Sequence, residues 1–570
     1  MTRTSSIDNR WLILFLALAA SALGWDLGGG RLLDPDEGRN AEVAREMAAT
    51  HDYLVPHLDG LPYLDKPVLY FAAAAATMEI LGPRELAARL PALLATFGMV
   101  ALVVWFARRR YGVDAGWLAG LALATMPMVL AYARTTIFDS TLSFCTTAAV
   151  IAFAEDHAIL AWAAIGAGGL TKGPIAILIP LAVVVPHALL TGRSLRNLFP
   201  WRGLAVFALV AFPWFLAVTA RIPEFPHYAF VRETFQRFTT ASFHRTAPFW
   251  YYLPIIPVAA FPWIIPALSR VGGGRVRWAW EARRVNQQAR DALLLGCWIV
   301  GPLVFFTLNQ SKLPQYVLPL MPAFALAAAR YLSQETPTSG WKTYVASAVV
   351  LTAGLLFLSS LLPSRIPLTP AERAAIPGAG RALAAVLACA AAIVALGAWR
   401  RRRTIVAAGY AAAVIALPLV TRPLLRAVGD DRSAAALADA VRGRGEVLSV
   451  AAYPPSLPFY LRRPVLVATA TARELTSNFI ADYADTYRAV PDSPLLPADA
   501  WRARLASCPE STVFVTGAGD TTTRAALAVL PLLFLDGHYA AYGPCAAAAA
   551  PGSSSFIIPH SAFGTGEAGR

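Results

Sequence analysis

The run Leu90-Pro-Ala-Leu-Leu-Ala-Thr-Phe-Gly-Met-Val-Ala-Leu-Val-Val-Trp-Phe-Ala107 carries no charge, and Arg108-Arg109-Arg110 follows it directly. A helix needs ~20 apolar residues to cross the hydrocarbon core of a bilayer, and arginines gather at the cytoplasmic ends of such helices. The stretch therefore reads as a membrane span that enters the cytoplasm at Arg108. Similar runs recur at Trp11–Gly29, Ala115–Ala133 and Tyr344–Leu362. Hydrophobic residues make up 57% of the 570 and charged ones 15%, against about 25% charged in an ordinary soluble domain. Too little polar surface remains to cover a soluble fold of this length, so the fold class is an α-helical polytopic membrane protein.

The net charge of +14 could suggest nucleic acid, but its placement argues against that partner. The basic residues sit at the ends of apolar runs: Arg108–Arg110, Arg193 with Arg196 and Arg202, Arg270 through Arg290, and Arg400–Arg403. That is the positive-inside pattern of loops lying against membrane lipids. Ala20-Ser21-Ala22 could mimic a signal-peptidase site, but the apolar run continues past it, which favours an uncleaved first helix. Either reading puts residue 31 outside the cytoplasm.

Parity then orders the chain. With the N-terminus inside and a first helix over about residues 11–30, segment 31–66 is outside. Fourteen mostly apolar residues follow at Val68–Leu81. If both that segment and Leu90–Ala107 crossed, the three arginines would lie outside. Val68–Leu81 is therefore expected along the outer face, with 31–88 as one periplasmic loop. The same bookkeeping gives about thirteen crossings, an N-terminus in the cytoplasm and a C-terminus in the periplasm of a bacterial inner membrane. The expected division is a transmembrane domain over 1–429 and a small periplasmic α/β domain over 430–570. In the latter, Asp431–Val441 has helical spacing, Glu446–Tyr453 and Thr512–Thr516 read as strands, and the tail after Pro551 as disorder. Cys508 and Cys545 could pair if that region is extracytoplasmic; no cysteines have metal-ligand spacing.

On this topology the polar oddities collect on one side. The outer face receives Asp34-Pro35-Asp36-Glu37-Gly38-Arg39, Asp65-Lys66-Pro67, Arg134 with Asp139, Lys172, the loop Arg232–Arg245, and Ser311-Lys312 through Tyr316. Ionisable groups at such depth are costly and usually line a cavity or pair with one another. Cations can hold a phosphate there while a carboxylate handles a proton or a metal. Each has a plainer reading. Asp36 and Glu37 favour a helix N-terminus, and the apolar pairs of Asn40–Thr50 suit an amphipathic helix on the membrane surface. Arg134 and Asp139 could be an interfacial ion pair, Lys172 a snorkelling anchor, and His244-Arg245 loop residues. Convergence on one face, rather than any single residue, points to a site. No Rossmann-type glycine fingerprint marks a sugar-nucleotide donor.

The stretch Asp34-Pro-Asp-Glu-Gly-Arg-Asn-Ala-Glu-Val-Ala-Arg-Glu-Met47 resembles the first-loop motif of the bacterial 4-amino-4-deoxy-L-arabinose transferases, and so does His51 through Pro67. These are membrane glycosyltransferases of the GT-C fold, related to protein O-mannosyltransferases. Arg89-Leu-Pro91, Arg134 to Asp139, Thr171-Lys-Gly-Pro174, Arg237-Phe238, Pro248 to Tyr252 and Ser311 to Pro319 continue the similarity in order. The resemblance implies a sugar donor on undecaprenyl phosphate and a lipid A, glycolipid, polysaccharide or protein acceptor. It also implies inversion at the sugar. Asp36 matches the catalytic carboxylate, with Glu37 and Arg39 beside it, and Asp139 the second acidic position. Lys66, Lys172, Arg237 and Tyr316 match groups that hold the lipid phosphate and sugar. A divalent metal is left open. Asp65 stands where the family has Glu, and the family's metal-associated histidine has no clear match, Thr234 lying near its place and His244 farther on. A transporter, flippase or ligase of lipid-linked glycans is the alternative class; a transporter would show paired halves and charges at the midplane.

The topology has a direct check. Reporters fused after residue 60 and after residue 88 should both read periplasmic, and a cytoplasmic signal at residue 88 would break the parity argument.

Overall fold

The computed structural model describes residues 9–236, 247–268, 273–334, 340–361, 363, 368–508 and 511–544. The chain is a multi-pass helical membrane protein. Among the described residues seven helices are long and apolar enough to cross a membrane: Glu85–Tyr111, Leu195–Arg221, Gln287–Leu308, Pro314–Ser333, Trp341–Leu361, Pro370–Trp399 and Arg403–Val420. Five shorter apolar helices accompany them. Helix occupies each apolar run named above, and two helical stretches are broken. The run 115–133 is Val113–Ala124 and then Pro127–Tyr132, because Pro127 has no N–H to continue the first helix and instead opens the second. Residues 250–268 likewise hold two helices, Tyr252–Ala259 and Ile264–Leu268, with Pro262 between. The two breaks meet: the buried indole of Trp263 donates to Thr125 Oγ1 at 2.9 Å.

Val68–Leu81 forms the helix Leu69–Leu81. Its thirteen residues reach about 20 Å, short of the ~30 Å hydrocarbon core. It buries Tyr70, Phe71, Ala74, Ala75 and Met78. Edge-to-face contacts link Tyr63, Tyr70, Phe71 and Phe138, and Tyr70 and Thr77 hydroxyls donate to the carbonyls of Ala88 and Ala87.

Helix Asp36–Thr50 departs from expectation. It is not a membrane-surface helix: every residue from Glu37 to Met47 is buried. The C-terminal domain covers its polar face. Gly38 lies so close to Ser456 that a Cβ would stand 2.7 Å from that residue's backbone nitrogen. The Arg39 guanidinium donates to both oxygens of Thr476. Glu42 accepts two bonds from Arg45 at 2.7 and 2.6 Å, Glu46 accepts from Gly60 N, and Asp59 accepts from Val465 N at 2.8 Å. Burial pushes the Glu42 and Asp59 carboxyls well above the usual range. The hairpin of β1 (His57–Leu58) and β2 (Leu61–Pro62) carries Asp59 to that contact.

The C-terminal sheet is built from β3 (Val447–Val450), β4 (Leu466–Ala468), β5 (Leu495–Leu496), β6 (Val513–Gly517), β7 (Leu532–Leu535) and β8 (Tyr539–Tyr542). Their order is β5-β4-β3-β6-β8-β7, parallel from β5 through β6 and antiparallel at β8 and β7. Alternating side chains serve two cores. Val447, Val513 and Val515 pack on helix Ala435–Val441, whereas Leu448, Val450 and Phe514 pack on Trp501 and Leu527. Both expected strands lie in this sheet. Cys508 is disulfide-bonded; Cys545 and the tail lie outside the described residues.

The first loop is locked to the long helix Glu85–Tyr111 by an ion pair between Glu37 and Arg89, side chains 4% and 7% exposed. Arg89 Nε and Nη2 donate to the two carboxylate oxygens at 2.9 Å each, and its remaining donors reach the carbonyls of Leu27, Gly30 and Arg31. Glu37 also accepts from Leu33 N and Thr136 N. Removing one partner of a completed buried pair leaves the other charge uncompensated. Arg89→Met should therefore destabilise the protein by about 3–5 kcal/mol, seen as a large fall in melting temperature in detergent, whereas Arg373→Met, at an exposed position, should not.

A second tie carries a pH signature. Asp34 accepts from Ser456 Oγ at 2.7 Å, and burial, the largest influence, raises its carboxyl from 3.8 to about 7. A carboxyl whose folded-state value is raised contributes stability that is fully present below pH 3.8 and lost as pH rises through about 7. Melting temperature should fall across that window, and Asp34→Asn should make the fall smaller, with Glu42 and Asp59 contributing the rest in the same direction.

Candidate functional site

Beneath the first loop lies a cavity of about 540 Å³ whose walls come from parts of the chain far apart in sequence. Helix Asp36–Thr50 gives Asp36, Arg39 and Asn40; the segment after the hairpin gives Tyr63, Asp65 and Lys66; helices Asp139–Ala154 and Ala158–Lys172 give Asp139 and Lys172. The turn Pro314–Leu320 supplies Gln315 and Tyr316, and the C-terminal domain supplies Arg473, Thr476, Ser477 and Asn478.

Asp36 stands in the first turn of its helix, where the N-terminal end favours a carboxylate. Its Oδ1 accepts from Arg39 Nη2 at 2.6 Å, and its side chain is 48% exposed, against 10% for Arg39. Burial opposes the Arg39 charge, but Tyr63, Asp36 and Asp65 around it raise its pKa overall and hold it protonated. Its guanidinium also lies 5.9 Å from the Tyr63 ring centroid. Asn40 is fully buried and donates to Thr136 O at 2.8 Å.

Across the cavity, Lys172 Nζ donates to Asp139 Oδ1 at 2.6 Å. The helix ends assist both charges: Asp139 opens one helix and Lys172 closes another. Gly173, at φ 68° and ψ −146°, takes a backbone conformation that favours glycine where the lysine's helix ends. Lys172 Nζ also sits 4.8 Å over the Tyr316 ring, a favourable place for a cation. An ammonium that already faces a carboxylate and a ring is held in one direction before any anion arrives.

Several expectations need adjustment. Arg134 is not the partner of Asp139; it donates to the carbonyls of Ala22 and Leu23 at the end of the first helix. Glu37 does not line the cavity, because its carboxylate is engaged by Arg89 and two backbone N–H groups. Asp65 lines it, but Oδ1 accepts from the Tyr228 hydroxyl and from the N–H groups of Asn478 and Phe479, while Oδ2 is buried without a hydrogen bond among the described residues. Asp65 therefore joins the first loop to the segment His227–Gln236 and the C-terminal domain. Among the described residues no three His, Cys, Asp or Glu side chains converge. Arg237 and His244 lie outside the described residues.

The C-terminal wall is what the sequence did not disclose. Thr476-Ser477-Asn478 reads as an ordinary polar turn, and its approach to Arg39 and Asp65 joins residues more than four hundred positions apart. Arg232, in the loop expected to matter, is paired with Asp482 through Nε at 2.9 Å.

Residues 65–216 match the family model for dolichyl-phosphate-mannose-protein mannosyltransferases. An undecaprenyl phosphate-α-4-amino-4-deoxy-L-arabinose arabinosyl transferase of Edwardsiella ictaluri is 34% identical over 350 residues, 58% of this chain and 61% of that protein. One of Aeromonas salmonicida is 33% identical over 314 residues, 52% of this chain and 55% of that protein. The chain thus spans about three-fifths of the length of the relatives it matches. The crystal structure of ArnT from Cupriavidus metallidurans bound to undecaprenyl phosphate superposes with a TM-score of 0.80 at 26% identity, covering 96% of this chain and all of that one. In sequence the chain is similar to the aminoarabinose transferases, and it shares the fold of that crystal structure over nearly its whole length.

Proposed function

We propose that this chain is an inner-membrane glycosyltransferase that moves a sugar from undecaprenyl phosphate to a lipid A or other envelope acceptor on the periplasmic face. The observation that carries the reading is the single cavity in which a half-exposed carboxylate, Asp36, faces the lysines Lys66 and Lys172 beside Tyr316. Relatives whose names specify an undecaprenyl-phosphate aminoarabinose donor support it, as does the undecaprenyl phosphate held by the similar fold.

In this reading the acceptor oxygen attacks the anomeric carbon as the bond from that carbon to the lipid phosphate oxygen breaks. The bonding pair leaves with the phosphate, and the sugar inverts. Lys66 and Lys172 stabilise the charge that develops there, with Tyr316 beside them; fixed cations in a cavity poor in water are worth several kcal/mol to such a step. Asp139 aims Lys172. Asp36 takes the proton of an acceptor hydroxyl, or orients an acceptor that is already ionised, and Arg39 fixes its position. Glu37 acts one layer behind, through the attachment of the loop. Exposed Arg473 on the C-terminal wall suits an anionic acceptor such as a phosphorylated glycolipid. The N-terminus is cytoplasmic and the C-terminal domain periplasmic.

Asp36→Asn should lower transfer of labelled sugar from its polyprenyl phosphate by about 10²–10⁴-fold in membranes that hold normal amounts of the protein. Lys66→Ala and Lys172→Ala should chiefly weaken donor binding, by about tenfold or more. Wild-type turnover by Asp36→Asn would overturn the assignment.

A further inference from the structure

A groove of about 730 Å³ lies at the other end of the helices, between Asn9–Gly24, Glu85–Tyr111 and Val113–Ala124. Its walls are apolar, with Leu16, Phe97, Ala101 and Val104 among them, and Arg108 and Arg109 line one end. From Phe97 to Arg108 the helix climbs about 16 Å at ~1.5 Å per residue, roughly half of the ~30 Å hydrocarbon core. The groove is therefore one leaflet deep, with its charge where headgroups lie.

The arginines are placed for an external anion. Arg108 lies over the Trp117 ring, 5.4 Å from its centroid. Arg109 bonds Glu155 at 2.7 Å yet keeps 63% of its side chain exposed, and Glu155 is also held by Arg110. Arg109 further lines a second, polar cavity of about 630 Å³, in which four arginines (Arg109, Arg110, Arg193 and Arg290) face three carboxylates (Glu155, Asp156 and Asp291). An apolar slot that opens at one arginine onto a polar pocket with excess positive charge matches an amphiphile with an anionic head.

We propose that this groove binds an anionic phospholipid of the arginine-side leaflet, an acyl chain between Leu16, Ala101 and Val104 and the phosphodiester at Arg108 and Arg109. The site is separate from the cavity under the first loop and shares no lining residue with it.

Native mass spectrometry of the full-length protein, titrated with dioleoyl phosphatidylglycerol or dioleoyl phosphatidylethanolamine, tests this. Wild type should retain the phosphatidylglycerol preferentially. Arg108→Gln and Arg109→Gln should each cost about fivefold of that preference. Ala101→Trp should lower retention at an unchanged melting temperature, and if it does not fold, the arginine variants decide alone. Equal retention of the two lipids by wild type, or an unchanged preference in the arginine variants, would overturn the proposal. So would retention of undecaprenyl phosphate in place of phosphatidylglycerol with the same sensitivity.

Discussion

One buried carboxylate, Glu37, gathers hydrogen bonds from Leu33 N, Thr136 N and two nitrogens of Arg89. Arg89 in turn bonds the carbonyls of Leu27, Gly30 and Arg31. A buried ion pair is tolerable only when its remaining donors and acceptors are also satisfied, and here they are. The network clamps the end of the first helix, the first loop, the long helix Glu85–Tyr111 and the turn before Asp139. Because successive residues of a helix project about 100° apart, fixing Glu37 inward leaves Asp36 toward the cavity. Thr136 lies three residues before Asp139, so the same clamp registers the opposite wall.

The C-terminal sheet domain completes what the clamp begins. It packs on helix Asp36–Thr50 at Gly38 and Arg39 through Ser456 and Thr476, bonds Asp34 and Asp59 on either side of that helix through Ser456 and Val465, and brings Ser477 and Asn478 to the cavity. Asp65 is the hinge of this arrangement, bonded at once to Tyr228 and to the start of helix Asn478–Asp482. The mouth of the cavity thus depends on three pieces of chain that are far apart in sequence.

Periodicity and charge made the helices legible because a membrane requires long apolar runs and biases where arginines fall. Val68–Leu81 is recognisable as too short to span for the same reason. The breaks at Pro127 and Pro262 were written in the sequence as prolines, but only the Trp263–Thr125 contact shows why they are placed together. Asp36, Lys66, Asp139, Lys172 and Tyr316 could be gathered on one face by counting crossings. The division of labour between Asp36 and Glu37 could not, since adjacent acids look alike until one is seen against Arg89. Long-range docking by Thr476 leaves no periodic trace at all. Helix Asp36–Thr50 misled for a related reason: its amphipathic pattern fits a membrane surface as well as the protein domain that covers it.

The central claim is that the lipid phosphate of the donor sits between Lys66 and Lys172 in the cavity under the first loop. A structure of this protein with undecaprenyl phosphate tests it most directly. Phosphate density is expected within hydrogen-bonding distance of both lysine Nζ atoms and beside Tyr316, with the Lys172–Asp139 pair retained or lengthened. Phosphate bound elsewhere, with the cavity beneath Asp36 left unfilled, would contradict it.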